Sequence, residues 1–311
     1  MKIRILAAAV LVLLSAVLSA CDTGPTGQGP GGQGSQRKVV VSSKNFTEAV
    51  LVGEMYAQVL EKAGIPIERK MNLGGTDVAQ KALEKGGAAD GIDLYPEYTG
   101  TGLLAVLKGE PESDPQKVYD TVKQGYADKF KITWLERSPM NDTQAVITTK
   151  EVSDSKGIKT LQDLCDKAGE LTMIARAEFK DRPDALPALQ KIYGGCDFKE
   201  ITAVESGDLV FAALINGQAD VAASDSTAGP IAGNGLVLLE DPKGYGGPYN
   251  IAPVVRNDVL AMYPKIADTL NSLSPKITTE EIARLNWEVD GKKREVADVA
   301  KEFLTAQGLL K

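Results

Sequence analysis

From Lys38 onward, short runs rich in β-branched residues alternate with stretches whose apolar side chains recur at helical spacing, and few folds accommodate that alternation. Residues 38–42 read as a strand. Thr47 reads as the cap of a helix carrying Val50, Leu51, Met55, Tyr56, Val59 and Leu60, which stops at Gly64 with Pro66 behind it. Residues 67–73 form a second strand, Thr76 caps a helix running to about Lys85, and residues 91–95 form a third strand. A βαβαβ run implies a mostly parallel sheet with helices on its faces.

The alternation resumes after Lys131, with strands expected over 132–135, 144–148, 171–175, 200–204, 220–223, 236–240 and 251–255. Helices are expected behind Thr160, over 184–193 and over 209–216, and almost continuously from Asp258. The pattern is α/β, and its two similar βα sets suggest two lobes with a cleft between them. Ligands of open α/β sheets sit beyond the carboxyl ends of strands, so the loops that follow strands are where a site belongs.

The first residues read as an export leader. Lys2 and Arg4 precede an apolar run through Val17, and Leu18-Ser19-Ala20-Cys21 has the small residues of a lipoprotein cleavage site. The run is shorter than the ~20 residues of a spanning helix. Residues 1–20 are therefore expected to be a signal peptide and Cys21 the lipidated first residue, where each buried CH₂ adds roughly 0.8 kcal/mol of membrane affinity. Residues 22–37, glycine-rich and without a large apolar side chain, read as a flexible linker with a reach of roughly 20–24 Å. The body is thus expected outside the cytoplasm, tethered to the cell membrane.

Composition removes several function classes. The chain has no histidine, which excludes Ser-His-Asp and Cys-His catalysis, His-containing zinc sites and imidazole proton shuttles. The net charge is −7 with no long basic run, so a nucleic-acid partner is not expected. No phosphate-binding, dinucleotide-binding, nucleophile-elbow or EF-hand motif is present, and neither cofactor nor metal is expected. Once Cys21 is lipidated, Cys165 and Cys196 remain as a pair in an oxidising compartment. A disulfide would close a loop worth about 3 kcal/mol; two buried free thiols are the alternative.

Four loops place polar or aromatic groups beyond strands: residues 42–48 with Lys44 at a helix N-terminus, 93–102 with Tyr95 and Tyr98, 141–144, and 248–250. Aromatic faces attract cations, worth ~0.5–2 kcal/mol each. Ser43-Lys44-Asn45-Phe46-Thr47-Glu48, Gly74-Gly75-Thr76, the run from Asp93-Leu94-Tyr95-Pro96 through Glu97-Tyr98-Thr99-Gly100-Thr101, Arg182-Pro183-Asp184, Asn216-Gly217-Gln218-Ala219-Asp220-Val221 and Pro248-Tyr249-Asn250-Ile251-Ala252-Pro253 resemble the substrate-binding lipoproteins of osmoprotectant ABC importers, over roughly residues 38–311. Those proteins bind glycine betaine, choline, carnitine and related quaternary amines. The resemblance implies a two-lobed type II periplasmic-binding-protein fold, with residues 38–143 plus 249–311 as lobe 1 and 144–248 as lobe 2. It implies a tyrosine box for the cation, with Tyr98 and Tyr249 matching box positions and Asp142 a position whose backbone carbonyl faces the cation. Lys44 and Thr101 match donors to the ligand's carboxylate, and Arg182 the arginine from lobe 2. It also implies a monomer that delivers its ligand to the membrane subunits of an ABC permease, not an enzyme.

Two positions depart from that pattern. Gln144 and Asp225 stand where the family places box tyrosines. A trimethylammonium has no N–H to donate, whereas an amide and a carboxylate suit an amine that has one. The alternative reading is therefore the same fold binding a different amine or zwitterion. An enzyme on a similar fold and a tethered scaffold or sensor are the competing classes, separated from a binding protein by turnover and by ligand-induced thermal protection respectively.

Overall fold

The computed structural model describes residues 37–87, 91–181, 185–204 and 207–310. The expected signal peptide, Cys21, the linker as far as residue 36, and Arg182 lie outside the described residues.

The chain runs β1 (Val39–Ser42), α1 (Thr47–Lys62), β2 (Ile67–Lys70), α2 (Thr76–Lys85), β3 (Leu94–Tyr98), α3 (Thr99–Thr101), α4 (Pro115–Phe130) and β4 (Ile132–Trp134). It then crosses to β5 (Gln144–Thr148), α5 (Lys150–Lys156), α6 (Leu161–Lys167), β6 (Thr172–Arg176), α7 (Leu186–Tyr193), β7 (Glu200–Val204), α8 (Gly207–Ile215), β8 (Val221–Asp225), α9 (Gly229–Gly233) and β9 (Val237–Leu238). Finally it returns through β10 (Ile251–Arg256) to α10 (Asn257–Met262), α11 (Lys265–Leu273), α12 (Thr279–Asp290) and α13 (Val296–Ala306). These strands form two five-stranded sheets, in the orders β2-β1-β3-β10-β4 and β7-β6-β8-β5-β9. Each sheet is covered on both faces, so its strands read as near-continuous apolar runs such as Val39-Val40-Val41.

Neither sheet is mostly parallel in the way the alternation predicts. The βα units pair in parallel, but β10 runs antiparallel to both β3 and β4, and β5 antiparallel to both β8 and β9. Strand β5 enters its sheet from the other lobe and β10 comes back out, so neither has the preceding crossover helix that would set it parallel. Several boundaries also move. Phe46 and Gly75, not Thr47 and Thr76, occupy the caps of α1 and α2. The Thr47 hydroxyl is drawn away to Asp290 Oδ1 at 2.7 Å. Strand β3 is displaced to Leu94–Tyr98, and a helical turn follows at once, α3 widening into a π-helical stretch over Gly102–Val106. Arg37 belongs to the body, not the linker: its guanidinium makes bonds of 2.9 and 3.0 Å to the buried carboxylate of Asp93.

The two crossings, residues 135–143 and 239–250, lie side by side. Asn141 holds them together: its Nδ2 donates to Gly247 O at 3.0 Å and its Oδ1 accepts from Tyr249 N at 2.6 Å. Asn250 Nδ2 donates to Met140 O at 2.8 Å, and Asp142 N to Tyr249 O at 3.3 Å. In the second lobe Cys165 and Cys196 are disulfide-bonded, closing 31 residues between α6 and the turn after α7. Among the described residues no helix is long and apolar enough to cross a membrane.

Candidate functional site

A cavity of about 370 Å³ opens where the carboxyl ends of β1 and β3 face the second sheet across the crossings. Seven of the eight candidate ligand residues, Lys44, Tyr98, Thr101, Asp142, Gln144, Asp225 and Tyr249, line it together. Arg182, the eighth, is outside the described residues. Asn45, Phe46, Gly75, Thr76 and Thr143 also line it. Asn45, Phe46 and Thr143 belong to loops singled out after strands, and Gly75 and Thr76 to the Gly74-Gly75-Thr76 run that carries the resemblance.

The first lobe supplies the aromatic surface. Tyr98, the last residue of β3, is buried and stands 5.9 Å from Phe46 between ring centroids, tilted by 36°. Tyr249 arrives from the second crossing and lies against Gly100, where a Cβ would come within 2.7 Å of its ring. A glycine at that first turn of α3 is thus what lets the ring approach the backbone.

Lys44 has a more constrained setting than a solvated loop lysine. Its ammonium is 4.8 Å from the Tyr98 ring centroid, pairs with Glu97 at 2.5 Å, and reaches Thr76 Oγ1 at 3.4 Å. Glu97 is fully buried and also accepts from Tyr95 Oη at 2.8 Å and Tyr98 N at 2.6 Å. Lys44 therefore balances a buried carboxylate, and two of its three N–H donors have partners.

Behind Tyr98 lies Glu48, which loop reading passed over because it looks like a first-turn helix acid. Its carboxylate is buried and accepts from Tyr98 Oη at 2.7 Å and Asn286 Nδ2 at 2.9 Å. Burial raises the Glu48 carboxyl above its ordinary value, with the hydrogen bonds opposing the rise. Asp142 is raised well above the usual carboxylate range by burial first, then by the charges of Glu48 and Asp225, although Thr227 Oγ1 donates to it at 2.7 Å. The Tyr98 phenol is pushed up by burial and the adjacent Glu48. Among the described residues lining the cavity Lys44 is the only cation, and it is already paired with Glu97, an arrangement that leaves room for a positively charged guest.

On the second lobe, Gln144 and Asp225 are register partners at the mouths of β5 and β8, with Gln144 Nε2 3.4 Å from Asp225 Oδ1. Arg176, the last residue of β6, brings a guanidinium within 4.0 Å of Asp225. The strand expected from the sequence ends at residue 175 and none of the loops singled out for polar or aromatic groups follows it, whereas the structure extends β6 to Arg176. Among the described residues no cluster of metal-ligating side chains occurs.

The comparisons agree with this geometry. The family described as the substrate binding domain of ABC-type glycine betaine transport systems matches residues 37–306. The chain is 32% identical over 95% of its length to the carnitine transport binding protein OpuCC of Listeria monocytogenes, covering 94% of that protein. It is 33% identical over 88% of its length to the glycine betaine-binding protein YehZ of Escherichia coli, covering 92% of it. The crystal structure of a glycine betaine/carnitine/choline ABC transporter superposes with a TM-score of 0.82 at 31% identity, over 88% of this chain and 100% of that one. The matched span, the two-lobed fold and the placement of the cavity lead to one conclusion: the chain belongs to the substrate-binding family of ABC-type glycine betaine transport systems.

Proposed function

We propose that this protein binds glycine betaine, choline, carnitine or a related quaternary amine in the cavity around Tyr98 and delivers it to the membrane subunits of an ABC importer. Phe46, Tyr98 and Tyr249 offer π faces to the trimethylammonium, each worth ~0.5–2 kcal/mol. The Asp142 backbone carbonyl and the Asp225 carboxylate add negative potential. The third N–H of Lys44, the Thr101 hydroxyl and Arg182 hold a ligand carboxylate where one is present. Gln144 closes the second-lobe wall. Lobe 1 comprises residues 38–143 plus 249–311 and lobe 2 residues 144–248, a division supported by the strand membership of the two sheets. Closure of one lobe on the other is favoured by the ligand's contacts to both.

As an ABC substrate-binding protein it meets its ligand outside the cytoplasm. The leader over residues 1–20 and lipidation at Cys21 would keep it on the cell membrane as a monomer, within reach of the permease. It carries its ligand without transforming it and needs no cofactor.

The observation that carries this reading is the aromatic and acidic lining of one cavity by residues from both lobes and both crossings. Isothermal titration with glycine betaine, choline and carnitine tests it. Micromolar binding, about −8 kcal/mol, is expected for at least one of them, and Tyr98→Ala should abolish it. No heat with any of the three at millimolar concentration would overturn the reading.

A further inference from the structure

We propose that Asn286 is a positioning residue that ties the box tyrosine Tyr98 to the second lobe, so that the binding ring is held in place when the lobes are together. The proposal rests on the ligand reading above for its effect on affinity and on geometry alone for its effect on the lobes.

Helix α12 packs with α1 and α13 of the first lobe, yet it also lies against α9 of the second. Glycine makes that approach possible. A Cβ on Gly229 would come within 2.8 Å of Trp287 N and 3.0 Å of the Asn286 carbonyl carbon, and one on Gly233 would collide with the Trp287 indole. The backbones of the two lobes therefore meet at residues 286 and 287.

At that seam Asn286 Nδ2 donates twice, to Glu48 Oε2 at 2.9 Å and to the backbone oxygen of Thr227 at 3.0 Å. Glu48 belongs to the first lobe and Thr227 to the second. From Glu48 the path continues through Oε1 to Tyr98 Oη at 2.7 Å, and from Thr227 through Oγ1 to Asp142 Oδ1 at 2.7 Å. Its two ends, Tyr98 and Asp142, both line the ligand cavity. A continuous set of hydrogen bonds thus runs behind the cavity from Tyr98, through one amide nitrogen to Thr227 of the second lobe, and back to Asp142 at the crossing.

The other half of that amide argues against a role confined to packing. Asn286 Oδ1 is buried with no hydrogen-bond partner among the described residues. Leaving a buried acceptor unsatisfied costs stability, and an apolar side chain at this site would avoid the cost. What an apolar side chain could not supply is the pair of donors. When the lobes part, the bond to Thr227 O breaks, since it joins one lobe to the other, and the amide then loses the contact that orients it toward Glu48. Tyr98 Oη is held less firmly in consequence. By linkage, a ligand that needs Tyr98 in place favours the joined lobes.

Two variants of the full chain, Asn286→Ala and Gly229→Ala, test the proposal. Gly229→Ala leaves every member of the hydrogen-bonded set intact and acts by pushing α9 off α12. Without ligand, amide hydrogen exchange should quicken in both variants by tenfold or more over residues 226–233 and also over 98–101, on the far side of Glu48. Faster exchange confined to α12 and its immediate neighbours would overturn the proposal, because a structural role would produce that result. Titration with glycine betaine gives the second readout. Asn286→Ala should weaken binding about tenfold in the Tyr98-containing protein but less than twofold in a Tyr98→Phe background, where Glu48 has no hydroxyl to hold. Equal losses in both backgrounds would also overturn it. If the unaltered protein binds none of the three amines, the ligand reading falls, while the exchange measurement still decides the role of Asn286.

Discussion

On the first lobe Lys44 and Glu97 pair with side chains 5% and 0% exposed, whereas on the second Arg176 and Asp225 stand 4.0 Å apart with side chains 42% and 50% exposed. The first pair is locked. Glu97 has three donors around it, and the ammonium is fixed over the Tyr98 ring. The second pair is soft, half-exposed and screened by water. One wall of the cleft is thus organised before any ligand arrives and the other can adapt as it closes, so the affinity of the site should reside in the first lobe and its adjustability in the second.

The sharpest way to break that comparison is to remove a charge from each wall. Lys44→Met leaves Glu97 buried without its counter-ion and should cost about 3–5 kcal/mol in urea unfolding, with binding lost. If it costs no more than a substitution on the exposed pair, the two walls do not differ as described. Next in size, replacing Cys165 and Cys196 together by Ser should cost about 3 kcal/mol, concentrated in the second lobe. Hydrogen exchange should show β6 and α7 opening first, with Tyr98 unaffected. Equal loosening of both lobes would mean that they do not fold as separate units.

Gly100→Ala tests how finely the first wall is fitted. The added methyl meets the Tyr249 ring, so overpacking of about 1–3 kcal/mol is expected, together with weaker amine binding that Arg176→Ala should not reproduce.

A smaller effect is expected of Asp142→Asn, and it has a pH signature. Burial raises the Asp142 carboxyl above its ordinary value of 3.8, so the folded state holds this proton more tightly than the unfolded chain does. The stability this contributes is fully present below 3.8 and is lost as pH rises through the folded value. Asp142→Asn should therefore be more stable than the parent at neutral pH, by a margin that shrinks on acidification, while cation binding through the backbone carbonyl at this position is retained. A margin that grows on acidification would contradict the raised carboxyl. Smallest of all, Arg176→Ala should move stability by less than about 1 kcal/mol.

The parts of the fold visible in the sequence are those with a local cause. Val39-Val40-Val41, the apolar face of α1 and the Thr160 cap, whose hydroxyl accepts from Asp163 N at 3.1 Å, could be read from periodicity and capping chemistry. The loops after β1 and β3 pointed to Lys44, Tyr98 and Thr101 because strand ends are where α/β sheets offer sites. What escaped had causes far away in the chain. Thr47 has the chemistry of a cap but is drawn to Asp290, 243 residues on, and β10 runs antiparallel because it re-enters from the other lobe. Glu48 looked like a helix-start acid until Asn286 and Tyr98 closed around it.

By itself, the sequence determined the α/β class, the absence of imidazole chemistry and the loops from which the cleft is built, because composition and period act over a few residues. Tertiary structure alone decided that Lys44 would spend its charge on Glu97, that Gly100 would make room for Tyr249, and that one amide at residue 286 would join two lobes. Those outcomes depend on burial and on contacts between distant segments, which arise when the chain closes on itself.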